Sequence, residues 1–145
     1  MKLEIIDKPL SLTLYGFSGI ANNKDYAGTA FRLSDKVWRT VKLNNLKNKG
    51  LNVWVYEENE SVFAGVELDD IPNHLTGLEQ KNITLIKYAY FKHIGPYYQI
   101  MNAGQQMTDY LKNRGLTTSL PYIEIYSHWT NDDTKLETEL LFNLK

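Results

Sequence analysis

Apolar residues recur along the chain with two different periods, one typical of strands and one typical of helices. Each long run rich in branched and aromatic residues predicts a strand, and each 3.6-residue stripe that follows predicts a helix. After each helix, two further strand-like stretches are separated by polar turn residues near 58–59 and 131–133. The predicted order is β-α-β-β, twice, with the strands within 10–20, 51–68, 83–94 and 121–144.

Two nearly identical hexapeptides, "LKNKGL" at 46–51 and "LKNRGL" at 111–116, follow the helical stripes. Basic residues in a last turn, followed by glycine, are typical of a helix C-terminus. We therefore predict that the helices stop at Gly50 and Gly115. The stripes expected to face the core are Leu33, Val37, Val41 and Leu46 in the first helix, and Tyr97, Ile100, Met101, Gly104, Met107 and Leu111 in the second.

The repeated order predicts a duplication, with the hexapeptides offset by 111 − 46 = 65 residues. We expect one α+β domain over residues 1–145, built as duplicated β-α-β-β units that form an antiparallel sheet. Half one covers 1–70, a joint covers 69–82, and half two covers 83–145. Two short sheets of this kind bury their apolar faces by packing together, and the cleft between them is the expected ligand groove.

Side chains alternate across the strand "PYIEIY" at 121–126. Tyr122, Glu124 and Tyr126 share one face, while Ile123 and Ile125 share the other. We expect the isoleucines to pack under a helix. The tyrosine and glutamate face is then predicted to point away from the helices.

Matching Tyr56 to Tyr126 in the duplicated strand puts Trp54 opposite Glu124 in the repeated pattern, so that the two residues occupy equivalent positions. This face is then an aromatic wall with one carboxylate, which suits an organic cation because aromatic rings attract cations and a desolvated carboxylate adds a directional charge. The alternative is a solvated strand face, since Tyr and Trp are also good strand formers. The candidate ligand-binding residues are Glu124, Tyr126, Trp54, Tyr56, Tyr90, Tyr15 and Trp38.

Composition narrows the function classes. With 16 basic and 17 acidic residues the net charge is −1, so no nucleic-acid surface is indicated. The absence of cysteine excludes disulfides and thiolate sites, and no long apolar segment is present, so we expect a cytoplasmic protein without membrane attachment. No metal-ligand spacing or common catalytic motif occurs, and we predict no metal, no cofactor and no catalytic residue.

The second half carries motifs of a known family. "YAYFKHIGPYYQIMNAGQQMTDYLKNRG", followed by "PYIEIYSHWT" and "LETELLFNL", resembles the GyrI-like effector-binding domain of bacterial multidrug-sensing transcription activators of the AraC type, which also occurs as a free-standing protein. The first half matches by layout. The resemblance implies a groove for lipophilic, often cationic, aromatic compounds, with the glutamate of Pro-x-x-Glu-x-Tyr, Glu124 here, as counter-charge and Tyr126 beside it.

Three functions follow from this resemblance. The leading hypothesis is a stand-alone small-molecule-binding protein, a sensor or a sequestering protein, because residues 1–20 read as strand rather than as a DNA-binding helix pair. The second is a hydrolase of cyclopropane-bearing alkylating compounds that uses the groove glutamate. The third is a modulator of DNA gyrase that acts through a protein partner, for which the candidate acidic residues are Glu57, Glu58, Glu60, Asp69 and Asp70.

Overall fold

The described residues of the chain form one eight-stranded antiparallel sheet and two α-helices, with three short 3-10 turns. A computed structural model describes residues 2–145. The elements are β1 Glu4–Ile6, β2 Leu10–Ile20, α1 Tyr26–Leu43, β3 Asn52–Tyr56, β4 Ser61–Val66, β5 Glu79–Leu85, β6 Tyr88–Ile94, α2 Ile100–Asn113, β7 Thr118–Tyr126 and β8 Glu137–Leu144. The strand order across the sheet is β1-β6-β8-β7-β3-β4-β2-β5. No helix in the described range is long and apolar enough to cross a membrane.

The two predicted units are confirmed as β2-α1-β3-β4 and β6-α2-β7-β8. They meet at the centre of the sheet, where β3 pairs with β7 and Trp54 lies opposite Glu124. In the same register Asn52 faces Tyr126, and Tyr56 faces Tyr122. A shift of 124 − 54 = 70 residues maps this pairing onto itself, so the halves are related by a pseudo-two-fold axis through the central pair.

Two strands were not foreseen, and they exchange between the halves. β5 joins β6 through residues 86 and 87 alone but pairs with β2 at the far end of the sheet, and β1 precedes β2 but pairs with β6. β5 begins at Glu79, inside the predicted joint, and the single strand expected over 83–94 is therefore two. A two-residue connection spans roughly 11 Å at most, so the ends of the sheet must approach each other.

This curling encloses an apolar cluster on the inner face of the sheet. The cluster includes the fully buried Val53, Val55 and Ile123, all eight strands supply or contact its side chains, and it contains no helix residue. The inner face is thus covered by the sheet itself and needs no helix.

Both helices lie on the outer face, which carries Glu124. Val37 of α1 packs with Val66 of β4, and Met107 of α2 packs with Leu140 of β8. The prediction that Ile123 and Ile125 pack under a helix is therefore wrong, because those side chains belong to the inner cluster and its periphery. With one helix over each half, the outer face of β3 and β7 is left as the floor of a groove.

The predicted stop of α2 is confirmed. Gly115 has φ +73, the Gly115 N–H donates to the Lys112 carbonyl (3.0 Å), and the Leu116 N–H donates to the Leu111 carbonyl (2.9 Å). This is a Schellman motif, in which glycine adopts the left-handed conformation at low cost.

The predicted stop of α1 at Gly50 is wrong. The helix ends at Leu43, and Asn45 at φ 51 occupies the left-handed position, with the Leu46 N–H donating to the Val41 carbonyl at 3.0 Å. The structural equivalent of Gly115 is thus Asn45, with an offset of 115 − 45 = 70 rather than 65. Because asparagine also tolerates this conformation, the helix stops before the hexapeptide ends.

Candidate functional site

A groove of about 1280 Å³ lies between α1 and α2, above the central strands. Its floor includes Trp54, Tyr56 and Glu124, since alternate residues of β3 and β7 point to the outer face. Side chains from one surface of each helix form its walls, and the segment after β7 adds to its rim. The wall and rim residues include Phe31, Ser34 and Trp38 of α1, Met101, Gly104 and Thr108 of α2, and His128 and Trp129.

Glu124 lies at the centre of the floor and is only 7% exposed. The Tyr56 and Tyr126 hydroxyls donate to its Oε1 at 3.1 and 2.8 Å, and the Tyr122 hydroxyl donates to Oε2 at 2.8 Å. We call Tyr56, Tyr122 and Tyr126 the tyrosine triad. A carboxyl group that accepts three hydrogen bonds in this way has the pattern of the ionised form, because a protonated carboxyl would have to donate one of them.

Burial and the triad act on the pKa of Glu124 in opposite directions. Burial raises this pKa above its ordinary value of 4.5, because a carboxylate loses its hydration, and the three hydroxyls lower it; burial is the larger effect. The pKa values of the triad hydroxyls are also raised, by burial first and then by the charge of Glu124. The hydroxyls therefore stay protonated and remain donors at neutral pH.

Glu124 has no ion-pair partner among the lysine, arginine and histidine side chains of residues 2–145. The three other carboxylates that line the groove differ from it in this respect, since each is paired with a cation: Asp25 with Arg32 (3.7 Å), Asp35 with Arg39 (3.1 Å) and Glu57 with Lys81 (2.5 Å). A buried charge without a partner is costly to a fold. The arrangement therefore leaves one negative charge available to a bound molecule.

Aromatic rings surround this charge in two groups of contacting rings. The Trp54 and Tyr126 ring centroids are 4.6 Å apart, and the Tyr56 and Tyr122 rings stack at 5.7 Å. Phe142 stacks on Tyr122 at 4.3 Å, and further rings approach edge-on from outside the sheet. Such contacts hold the rings in fixed orientations, so the groove presents a preformed aromatic surface.

At the α1 end of the groove lies a small polar cluster. The Oδ1 atom of Asn52 accepts hydrogen bonds from the Ser34 hydroxyl, at 3.1 Å, and from the indole N–H of Trp38. At the α2 end, Gly104 leaves space beside the Tyr122 hydroxyl, since a Cβ placed on Gly104 would lie 3.8 Å from that oxygen. The groove is therefore polar at one end and open at the other.

The structure brings together in the groove five of the seven candidate residues: Glu124, Tyr126, Trp54, Tyr56 and Trp38. The other two do not line it. Tyr90 pairs with Leu141 and contacts the inner cluster, on the opposite face of the sheet from Glu124. Tyr15 is buried on β2, opposite Val66 of β4, and β4 separates it from the central strands.

Several lining residues escaped the sequence analysis. Met101 was expected in the core but is 86% exposed at the groove mouth. In α1, Phe31 and Ser34 form a second stripe with the predicted Trp38, and the helical spacing of these three residues was the signal that could have revealed the first two. The lining aromatic residues that were not expected are Tyr26, Phe31, Tyr97, Tyr98, Trp129 and Phe142.

A large preformed groove with mostly apolar walls and a few convergent polar groups defines a small-molecule-binding domain. The chain belongs to the family described as the GyrI-like small molecule binding domain, whose sequence model matches residues 1–145. No curated protein sequence matches the chain.

Solved structures share the fold at low sequence identity. The C-terminal domain of EcmrR has a TM-score of 0.78 and 16% identity, covering 100% of this chain and 99% of that one. SAV2435 bound to tetraphenylphosphonium has a TM-score of 0.66 and 20% identity, covering 100% and 94%. A hydrolase from Listeria innocua has a TM-score of 0.61 and 12% identity, covering 99% and 92%.

Proposed function

We propose that the protein binds lipophilic organic cations in the groove, with Glu124 as the counter-charge. The observation that carries this proposal is a buried carboxylate, held by three tyrosine hydroxyls, that has no cationic partner within residues 2–145. A cation without hydrogen-bond donors suits this site because the triad already takes three of the roughly four acceptor positions of Glu124. Charge attraction and contact with ring faces then supply the binding energy.

A related structure supports the choice of ligand class. SAV2435, which shares the fold, is bound to tetraphenylphosphonium, a lipophilic cation without a hydrogen-bond donor. The groove of the present protein offers about 1280 Å³, which is above the usual range for drug-sized ligands and leaves room for several aromatic rings.

The proposal is tested with two ligands that differ in charge alone. (2-Naphthylmethyl)trimethylammonium and 2-neopentylnaphthalene have the same shape, with N⁺ in one where the other has carbon. All three tryptophans line the groove, so intrinsic fluorescence reports binding. We expect saturable quenching by the cation, with an affinity at least about tenfold higher than that of the neutral hydrocarbon. Equal affinities would refute Glu124 as a counter-charge.

A second candidate function is hydrolysis in the same groove. The raised pKa of Glu124 is the property expected of a general acid or base, and a hydrolase from Listeria innocua shares the fold. In this function Glu124 would accept a proton from a water molecule whose oxygen forms a bond to a cyclopropane carbon. The strained ring C–C bond breaks, its electron pair moves into the conjugated part of the substrate, and that anion takes up a proton. Time-resolved loss of a cyclopropane-bearing alkylating compound, abolished by Glu124→Gln, would support hydrolysis, whereas binding without turnover would exclude it for that compound.

We further propose that ligand binding serves sensing or sequestration. A sensor changes its contacts with a partner protein when the groove is filled, and a sequestering protein does not. Pull-downs from cell extract with and without a saturating cation distinguish the two, because only a sensor yields a partner whose recovery depends on the ligand.

A further inference from the structure

The two ends of the groove differ although the halves that build them are related by pseudo-symmetry. A shift of 70 residues relates the position of Ser34 to that of Gly104, and the position of Asn52 to that of Tyr122 (104 − 34 and 122 − 52). At one end stand an aromatic ring and a glycine. At the other stand the Ser34 hydroxyl and the Asn52 amide, and neither group forms a hydrogen bond with Glu124.

The amide of Asn52 has a fixed orientation. The indole N–H of Trp38 can only donate, so the amide atom that it meets must be oxygen. The Ser34 hydroxyl donates to the same oxygen at 3.1 Å. These two bonds direct the Nδ2 group of Asn52 away from α1.

This Nδ2 group is available for a ligand. Within residues 2–145 it makes no hydrogen bond, and it is not among the buried polar atoms that lack a partner, which are Trp54 Nε1 and Thr138 Oγ1. Asn52 lines the groove and its amide nitrogen is not fully buried, so a bound molecule can reach the unused donor. An aspartate would accept the same two hydrogen bonds, and the amide adds only this donor.

We infer that Asn52 is a hydrogen-bond donor subsite, and that the preferred ligands are lipophilic cations carrying a neutral acceptor, such as a carbonyl oxygen, to one side of the charge. This inference rests on the proposed function and specifies its ligand class. Asn52 is diagonal to Glu124 across the β3–β7 pair, a relation that sets Cα atoms roughly 7–8 Å apart. About one aromatic ring therefore separates the charge from the acceptor, and the ligand binds in one orientation.

The test compares two phosphonium ions that differ in one atom group. (4-Acetylbenzyl)triphenylphosphonium carries a ketone oxygen, and (4-isopropenylbenzyl)triphenylphosphonium has a methylene group in its place. The wild-type protein is expected to bind the ketone about two- to tenfold more tightly. The ratio of the two affinities is the readout, and it is insensitive to any change that affects both cations equally.

Three variants locate the source of this preference. Asn52→Asp retains both hydrogen bonds to α1 but loses the donor, so the ratio of ketone affinity to alkene affinity falls to one or below. Because aspartate adds a negative charge, a loss of charge cannot explain this fall. Asn52→Ala, which adds no charge, is used if Asn52→Asp does not fold. It lacks the donor as well, so the expected ratio is again one. Glu124→Gln weakens both cations and leaves the ratio unchanged, because the donor is intact.

The outcomes separate this inference from the proposal beneath it. Tight binding of both cations at equal affinity, or a ketone preference that persists in Asn52→Asp and Asn52→Ala, overturns the donor subsite and leaves the cation groove standing. Failure of the wild-type protein to bind either phosphonium ion overturns both.

Discussion

Replacing Glu124 with glutamine tests the charge at the centre of the groove with little change of shape. The glutamine oxygen can still accept from the Tyr56 and Tyr126 hydroxyls, and the Tyr122 hydroxyl can turn to accept from the new amide. A cation roughly 5 Å from the carboxylate, at an effective dielectric constant of about 20, gains about 3 kcal/mol. Desolvation of both ions offsets part of this gain, so we expect Glu124→Gln to weaken cation binding by about 1.4–3 kcal/mol, ten- to about a hundredfold.

The same substitution is expected to maintain or raise the stability of the unliganded protein. Burial raises the pKa of Glu124, so between pH 4.5 and that raised pKa the folded state binds more protons than the unfolded state. The contribution of this residue to the free energy of unfolding therefore decreases as the pH rises through that interval. Glutamine does not titrate and lacks this decrease, so at neutral pH the variant should be at least as stable as the wild type.

Two assays check both expectations. Tryptophan fluorescence titrations with a permanent cation give the affinity, and urea unfolding gives the stability. Glu57→Gln is the matched control, because it removes one negative charge from the groove lining but from a residue already paired with Lys81. We expect the control to change affinity less than about twofold. Equal losses of cation affinity in Glu124→Gln and Glu57→Gln would refute Glu124 as the counter-charge. So would a Glu124→Gln variant that loses both affinity and its fold, because the lost affinity would then follow from unfolding.

Further predictions concern the groove and the helix ends. Tyr122→Phe removes a hydrogen bond that lowers the pKa of Glu124, so the pH midpoint of cation binding, measured by fluorescence titrations, rises; an unchanged midpoint contradicts this. Gly104→Leu fills the space beside the Tyr122 hydroxyl and lowers affinity at least about tenfold, whereas Gly104→Ala retains affinity and stabilises α2 by about 0.5–1 kcal/mol; equal titration curves for the two would refute this. Asn45 and Gly115 hold the left-handed positions that end α1 and α2. In urea unfolding, Asn45→Gly is therefore expected to raise the free energy of unfolding, and Gly115→Ala to lower it by about 1–2 kcal/mol. No change in either variant would contradict this assignment of the helix ends.

The composition of the groove floor could be predicted because it depends on a local rule. Alternate residues of a strand share a face whatever the rest of the fold does, so Tyr122 and Tyr126 had to accompany Glu124. Matching Tyr56 to Tyr126 also identified Trp54 as the equivalent of Glu124, since the two strands occupy the same position in the two halves, but it did not predict that these strands pair with each other.

Which face the helices would cover could not be read from the sequence. β7 carries large apolar side chains on both faces, so its alternation is compatible with a helix on either. The inner face is determined by the edge strands, because β1 and β5 exchange between the halves and curl the sheet around Ile123. Strand exchange depends on pairings between residues distant in sequence, which no local pattern encodes.

The hexapeptide misled for a different physical reason. Glycine marks a left-handed backbone position, and Gly50 does have φ +73, but its turn precedes β3 instead of ending α1. There a Cβ atom would overlap the ring of His128, which packs on the groove rim. A glycine that is required by a neighbouring side chain and one that ends a helix look alike in sequence, and Asn45 could take the helix-ending role unnoticed.

The position of Glu124 on the pseudo-two-fold axis explains how one charge can serve the whole groove. A residue on this axis faces its own equivalent from the other half, so a symmetric chain would set two carboxylates opposite each other, and their repulsion would keep one protonated. Here Trp54 occupies the second position, so a single charge lies at the centre of the groove. The centre of the groove is thereby suited to recognise a cation, and the ends remain free to differ. If the centre selects the charge of a ligand and the Asn52 and Gly104 ends select its direction, substitutions at the ends should change which cations bind without abolishing binding of cations as a class.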